Sequence, residues 1–486
     1  MTLVDLIFKN NGESQRICVI EGKNEYSYKD LFESVVSIQN FLEKNTKRGE
    51  RIGILCENGF EFVSSYLACF SSGVVAVPIN TATYSSELEY IKTNCQLQAV
   101  LASSRFYGGM GDSPRKFLIP EILKQKAGRV YEPSEIKGDE LAGLMYTSGS
   151  TGRPNAVKIT HKNLLANTLS IVQYLQMKDT DRVMASLPFY YCYGASLMHM
   201  TFVSGGSIVI NNRFMFPQKV VDEIAQRKCT IFAGVPSTYK ILMNRSRLAD
   251  SDTSSLRYAL QAGGRLSPTD LIRLQKMLPE AKVIVMYGQT EATARLSYLP
   301  PEFFNSKIGS IGKGIPGVEL QVVNEQGKQV EVGEVGEIRA IGDNISPGYW
   351  NRPEETKNTF RDGWLCTGDM AKIDEDGFIY VVGRNKDFIK AGGNRFSAVE
   401  IEDTISSFDG VDNVAVVGVP DEILGECVHA FVVSKAGVSE GDIISLCRKK
   451  LPSYKVPRKV TFLNELPLNA FGKVQKFRLK EGDYGK

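Results

Sequence analysis

The sequence predicts an α/β fold: a large N-terminal domain of doubly wound parallel sheets carrying a β-rich subdomain, followed by a small α+β C-terminal domain. Three observations predict it. Short apolar runs bounded by turn residues alternate with stretches of helical period; from about Gly312 the texture changes to short strands punctuated by glycine; and a tail of domain size follows the charged turn Gly383-Arg384-Asn385-Lys386.

Taken in order, Arg51–Cys56, Val74–Pro78 and Ala99–Ala102 read as buried parallel strands. Phe62, Tyr66, Leu67 and Phe70 recur at helical spacing between the first two and complete a strand, helix, strand unit. A second series has a helix beginning near Thr160, with Leu164, Thr168, Ile171 and Leu175 on one side, and strands at Ser207–Ile210 and Val283–Tyr287. Gly317–Val323 and Gly333–Arg339 are the strands of the β-rich subdomain. The strand Phe378–Val382 precedes the boundary, which divides the chain into residues 1–383 and 384–486. In the tail, Val399–Ile405 has helical period, and Val414–Gly418 and Val428–Val433 form a strand pair.

Composition narrows the function. A chain of 486 residues exceeds one core, and its net charge of +3 points to neither nucleic acid nor membrane as a general partner. The nine cysteines contain no CxxC pair, and His161, His199 and His429 are not spaced as metal ligands, so reduced thiols and a cytoplasmic location are expected. No apolar run approaches the length of a membrane span, and Asp5 interrupts the N-terminus, so no secretion signal is expected.

The densest chemical signal is Leu144-Met145-Tyr146-Thr147-Ser148-Gly149-Ser150-Thr151-Gly152-Arg153-Pro154. Hydroxyls of Thr147, Ser148 and Thr151 can donate to anionic oxygens, and Gly149 and Gly152 leave backbone N–H groups accessible. It is not the common nucleotide loop, which needs two glycines five apart followed by Lys and Ser/Thr. By itself it fits a phosphate cradle or a Gly/Ser surface turn.

Four further motifs follow in order: Tyr287-Gly288-Gln289-Thr290-Glu291, Thr367-Gly368-Asp369, Gly383-Arg384, and Pro467-Leu468-Asn469-Ala470-Phe471-Gly472-Lys473. With the loop, they resemble the adenylate-forming superfamily of acyl-CoA synthetases, peptide-synthetase adenylation domains and luciferases, over essentially the whole chain. The resemblance implies an ATP-dependent, AMP-forming ligase. Thr147, Ser148, Gly149, Thr151 and Gly152 would hold the β- and γ-phosphates; Tyr287 would stack on adenine opposite Ala262-Gly263-Gly264. Thr290 would touch the α-phosphate, Glu291 would hold Mg²⁺, and Asp369 and Arg384 would bind the ribose or phosphates. Lys473 would bridge the substrate carboxylate and the α-phosphate, delivered by a C-terminal domain that is mobile about a hinge at Lys386. Gly392 and Gly393 would line the channel for the CoA arm.

Two departures matter. Asn155-Ala156 stands where Lys-Gly is usual, which removes a phosphate-binding ammonium; a catalytically weakened nucleotide-binding relative is the corresponding alternative. Tyr190, Tyr191 and Tyr193 occupy the expected wall of the acyl pocket, with no histidine there and no aspartate near Gly194 to pair with an amino group. An α-amino acid is thereby disfavoured, because its ammonium would be buried unpaired. The expectation is a fatty or aromatic carboxylic acid activated with ATP and passed to CoA, the alternative acceptor being an acyl carrier protein.

Overall fold

The computed structural model describes residues 2–83, 85–110, 114–125, 135–147, 154–435, 437–468 and 474–483. Short apolar runs flanked by turns become strands buried on both faces, as a helix-covered parallel sheet requires. A six-stranded sheet has the spatial order Arg115–Leu118, Ala99–Ala102, Arg51–Leu55, Val75–Pro78, Leu141–Thr147, Asn155–Thr160. Its neighbours are parallel except the last two strands, which run antiparallel with Thr147 opposite Asn155. A nine-stranded sheet has a parallel centre of Lys282–Tyr287, Tyr258–Gln261, Ile231–Gly234, Arg182–Ala185, Ser207–Ile210 and Ile17–Glu21, with antiparallel strands at both edges.

One continuous core joins strands of both sheets through the helices Phe60–Ser72, His161–Tyr174 and Cys192–Val203. The first and third are apolar on nearly every face and are buried along most of their length. Phe62 and Phe70 are fully buried, each contributing roughly 1.5–3 kcal/mol over an exposed ring. Thr160 caps the middle helix by accepting from the Asn163 N–H. Asn163 Nδ2 in turn donates to the carbonyls of Asp343 and Ile345, each at 2.8 Å, tying this helix to the next layer.

That layer is the expected β-rich subdomain, an antiparallel sheet of Val318–Val323, Gly336–Gly342, Trp364–Ile373, Phe360–Arg361 and Ile379–Arg384. The strand expected to end at Val382 continues through Arg384, because Asp369 pairs with it in register; the turn is Asn385–Asp387. Beyond it, Asn394–Phe396, Ile389–Ala391, Gly425–Ser434, Val411–Asp421 and Lys459–Phe462 form a separate sheet with its own core of residues such as Ile401, Val416, Ala430 and Ile443. The expected strand pair is thus the middle of a longer antiparallel ladder. Arg265 meets Asp403 through both guanidinium nitrogens, and Lys240 Nζ donates to Asn413 Oδ1 at 3.1 Å, so this sheet's layer is anchored to the large one by polar contacts.

Candidate functional site

Ligands of open α/β sheets sit beyond the carboxyl ends of the strands, and the site residues gather at that edge. Tyr287 closes the strand Lys282–Tyr287, and Gln261 closes the neighbouring strand Tyr258–Gln261. The chain then turns at Gly263, whose φ is +80°; a Cβ there would lie 2.8 Å from Val235 Cγ1, so glycine is required. The Gly264 carbonyl is held by Gln261 Nε2 at 2.7 Å.

After Tyr287 the backbone doubles back. A Cβ on Gly288 would stand 2.0 Å from the Ala294 carbonyl oxygen, so only a glycine admits this path. Thr290–Ala292 form one 3₁₀ turn, and Thr293 follows with φ +66° and ψ −49°. Ala294 N–H donates to the Ala292 carbonyl at 2.7 Å, which makes a γ-turn of the strained, positive-φ kind around a β-branched residue. Such a conformation costs on the order of 1–3 kcal/mol and persists only when its surroundings enforce it. Here Thr293 Oγ1 donates to the Asn344 carbonyl at 2.7 Å, and Asn344 Nδ2 donates to the Arg295 carbonyl at 2.8 Å.

The turn aims Glu291 toward the β-rich subdomain, where Tyr349 donates its hydroxyl to Glu291 Oε1 at 2.7 Å. Burial, and then the Glu291 charge, push the Tyr349 phenol well above its ordinary pKa, so it remains a donor. Thr290 Oγ1 lies 3.3 Å from Cys192 Sγ, at the start of the helix Cys192–Val203.

Asp369 follows Gly368, whose φ of +73° lies at a break in register within the strand Trp364–Ile373, and its N–H donates to Thr367 Oγ1 at 3.2 Å. Tyr287 donates its hydroxyl to Asp369 Oδ2 at 2.6 Å, and Arg384 Nε donates to Oδ1 at 3.2 Å. Burial raises the Tyr287 phenol pKa strongly and Asp369 adds to it. Burial works against the Arg384 charge, but Asp369 and Tyr287 overcome it and hold the guanidinium pKa up. An ionised carboxylate offers about four lone-pair sites; the protein occupies two of those on Asp369, which leaves acceptors for a pair of neighbouring hydroxyls.

Tyr287, Thr290, Glu291, Asp369, Arg384, Gly263 and Gly264 therefore come to one edge of the molecule. Thr147 ends its strand beside Asn155, with Oγ1 donating to the Asn155 carbonyl at 3.3 Å. Ser148, Gly149, Thr151, Gly152 and Lys473 lie outside the described residues. Gly392 and Gly393, with φ +56° and +76°, form the two-residue turn between Ile389–Ala391 and Asn394–Phe396, so hairpin geometry alone already demands glycine there. The Lys386 backbone lies in the 3₁₀ turn after Arg384.

Cys192, which touches Thr290, also lines a small cavity with Tyr66, Phe70, Ala195, His199 and Thr293 among others. Tyr190, Tyr191 and Tyr193 are not among the residues lining it. Tyr190 and Tyr191 pack edge to face at 4.4 Å, and Tyr193 donates its hydroxyl to the Leu260 carbonyl at 2.9 Å. The helix Cys192–Val203 contributes Cys192, Ala195, Ser196 and His199 to its wall. His199 stacks on Tyr66 with centroids 5.7 Å apart, its Nε2 has no hydrogen-bond partner among the described residues, and burial lowers its pKa to about 3, so it is neutral. Its apolar helix, Leu197-Met198-His199-Met200, carried the signal: a ring embedded there must be buried. Arg295 is the other residue that motif reading missed. Among the described residues it is the largest fully buried side chain, and a lone arginine between Ala294 and Leu296 was its only trace in the sequence.

Comparison with known proteins agrees over the whole length. Residues 8–350 match the AMP-binding enzyme family, and residues 400–473 match the AMP-binding enzyme C-terminal domain. A feruloyl-CoA synthase of Amycolatopsis is 31% identical over 469 residues, covering 94% of each protein. A 2-succinylbenzoate–CoA ligase of Bacillus pumilus is 32% identical over 475 residues, covering 96% of this chain and 95% of its own. The crystal structure of ATP-bound MatB from Rhodopseudomonas palustris superposes with a TM-score of 0.92 at 29% identity, covering 100% of this chain and 99% of that one.

Proposed function

The chain belongs to the AMP-binding enzyme family, and on that premise we propose that it is an ATP-dependent, AMP-forming carboxylate–CoA ligase acting on an aromatic or fatty acid. The observation that carries this is the Tyr287, Asp369 and Arg384 cluster beside Thr290 and Glu291: an aromatic ring, a carboxylate with free acceptor sites, a cation and an acidic residue in the order a nucleoside and its phosphates would meet them. Relatives named for feruloyl and 2-succinylbenzoyl acids, and a cavity walled by Tyr66, Phe70 and His199, support an aryl acid.

In the first step a carboxylate oxygen attacks the α-phosphorus of ATP, an O–P bond forms, and pyrophosphate leaves in line. Thr290 donates to the α-phosphate, and the Lys473 ammonium offsets the charge shared by the two anions. The hydroxyls and glycines at Thr147, Ser148, Gly149, Thr151 and Gly152 grip the departing phosphates. Glu291 is a hard oxygen donor suited to Mg²⁺, which keeps waters and shares phosphate oxygens, so one carboxylate suffices; when bound, the ion neutralises charge on the triphosphate. In the second step the CoA thiol gives up its proton to water and adds to the acyl carbonyl; a C–S bond forms, the acyl C–O bond to the phosphate breaks, and AMP leaves with that oxygen. A turn at Lys386 re-aims the residues beyond it between the steps, with Gly392 and Gly393 near the incoming thiol. A cytoplasmic location accords with nine cysteines that form no disulfide; among the described residues no helix is long and apolar enough to cross a membrane.

Pyrophosphate release on a panel of carboxylic acids, followed by thioester formation with free CoA or a pantetheinylated carrier, tests this reading. Wild type should turn over at least one aryl or fatty acid with free CoA, and Lys473→Ala should lower adenylation by roughly 10²–10³-fold. Wild type and variant equally silent on every acid while ATP still binds would overturn the ligase assignment, and transfer to the carrier alone would overturn CoA as acceptor.

A further inference from the structure

We propose that Tyr349 is a positioning residue for Glu291: its hydroxyl fixes which carboxylate oxygen is left for Mg²⁺, and its backbone ties that carboxylate to the strand that follows the proposed phosphate loop. This rests on the ligase reading, in which Glu291 holds the ion, and deepens it.

Glu291 is the middle residue of a single 3₁₀ turn, Thr290–Ala292. One such turn is too short to fix a side chain with three rotatable bonds. The fixing comes from 58 residues away, where Tyr349 donates its hydroxyl to Glu291 Oε1 at 2.7 Å. Tyr349 is itself held. It is 8% exposed, its ring packs against Phe360 with centroids 5.9 Å apart, and its N–H donates to Thr356 Oγ1 at 3.0 Å. Among the described residues Glu291 Oε2 has no hydrogen bond or ion pair. The carboxylate therefore offers one committed oxygen and one open oxygen. That donor set fits a small octahedral ion bound through one carboxylate, waters and phosphate oxygens. Hydrogen bonds to a ligating carboxylate orient it, and their loss weakens metal binding.

The backbone around Tyr349 extends the connection. Ser346 N–H donates to the Glu291 carbonyl at 2.8 Å, so residues 346–350 meet Glu291 through main chain and side chain alike. The same segment pairs with the strand Asn155–Thr160: Tyr349 bridges Val157 in antiparallel sense, Lys158 N–H donates to the Gly348 carbonyl at 3.0 Å, and Trp350 N–H donates to the Ala156 carbonyl at 2.8 Å. Gly348 has φ +123°, and a Cβ there would run into Thr356 Cγ2, so glycine is required for this path. The strand begins at Asn155, immediately after the residues proposed to grip the β- and γ-phosphates. One segment thus holds both Glu291 and the strand leaving the proposed phosphate loop.

The test measures binding of a non-hydrolysable ATP analogue by calorimetric titration, in EDTA and across a range of Mg²⁺ concentrations. In Tyr349→Phe the Mg²⁺ concentration giving half of the metal-dependent gain in affinity should rise roughly ten- to a hundred-fold over wild type, with affinity in EDTA unchanged. Glu291→Gln should raise it as well, and adding Tyr349→Phe to Glu291→Gln should change nothing further, because the hydroxyl acts through the carboxylate. A simple tie between layers would behave otherwise. An unchanged Mg²⁺ requirement in Tyr349→Phe, an equal loss of affinity in EDTA and in Mg²⁺, or additive losses in the double variant would overturn the proposal. If melting shows that Tyr349→Phe does not fold, Thr356→Val, which releases only the Tyr349 N–H, is read in its place, with a smaller rise expected and no rise overturning the proposal. Turnover of acids by a wild type whose nucleotide binding ignores Mg²⁺ would sink the role of Tyr349 and leave the ligase standing. A Mg²⁺ requirement shifted in Tyr349→Phe, with no acid turned over by wild type, would do the reverse.

Discussion

The proposed nucleoside end of the site and its proposed acyl end are built on opposite principles. Tyr287, Asp369 and Arg384 answer one another, so their geometry stands before any ligand arrives. Beside the cavity proposed to hold the acid, His199 Nε2 is buried without a hydrogen-bond partner among the described residues. A ligand that never changes can be met by a finished network that keeps acceptor sites in reserve. A ligand that defines the individual enzyme is read from what the protein leaves unsatisfied, because a buried polar group without a partner discriminates strongly against any molecule that cannot supply one.

The comparison breaks most sharply at Asp369. Asp369→Ala removes the acceptor shared by Tyr287 and Arg384 and leaves both donors facing each other, so nucleotide affinity should fall by about 2–5 kcal/mol, read by calorimetric titration of ATP; an unchanged affinity would mean that the finished network is not a nucleotide site. At the other end, His199 provides a pH signature. Its pKa falls from 6.5 in the open chain to about 3 in the fold through burial, so the unfolded state takes up the proton first as pH drops. The stability it contributes is complete above pH 6.5 and is lost as pH falls toward 3. Between pH 6.5 and 4.5 this amounts to roughly 2 kcal/mol. Urea titrations of wild type and His199→Phe should diverge by that amount, with the variant less acid-sensitive; parallel curves would show that His199 is not held neutral. The smallest effect belongs to the turn dividing the two ends. Thr293→Gly relieves a positive φ but loses the bond to the Asn344 carbonyl, for a net change within about 1 kcal/mol. Thr293→Val keeps the strain and loses the bond, so it should be the less stable of the two by roughly 1–2 kcal/mol; equal melting would mean that the turn is not under strain.

The same contrast explains what was legible in the sequence. The parallel strands around Arg51–Leu55 and Lys282–Tyr287 were, because burial on both faces leaves an unbroken apolar run with polar punctuation. The glycines at 263, 288 and 368 were, since backbone geometry demands them and each marks its position by identity. The lining of the cavity was not. Tyr190 and Tyr191 attract notice as aromatics yet pair with each other, whereas Arg295 and His199 go against the rule that polar side chains face water, and no local pattern announces which charged residue the fold will enclose. Strand ends were also misjudged: Val382 looked terminal because its successors are Gly383 and Arg384, but pairing across the sheet to Asp369 carries the strand further.

The strand Ile379–Arg384 has a mechanical consequence. Its last residue clasps Asp369, and the chain turns at Asn385–Asp387 directly afterwards, so wall and axle are one piece. Rotation about the proposed pivot at Lys386 can leave the Asp369–Arg384 clasp shut only if it starts after Arg384. A rotation beginning one residue earlier would pull the latch open, which makes a single peptide unit the difference between a protein that swings while gripping its nucleotide and one that must let go in order to move.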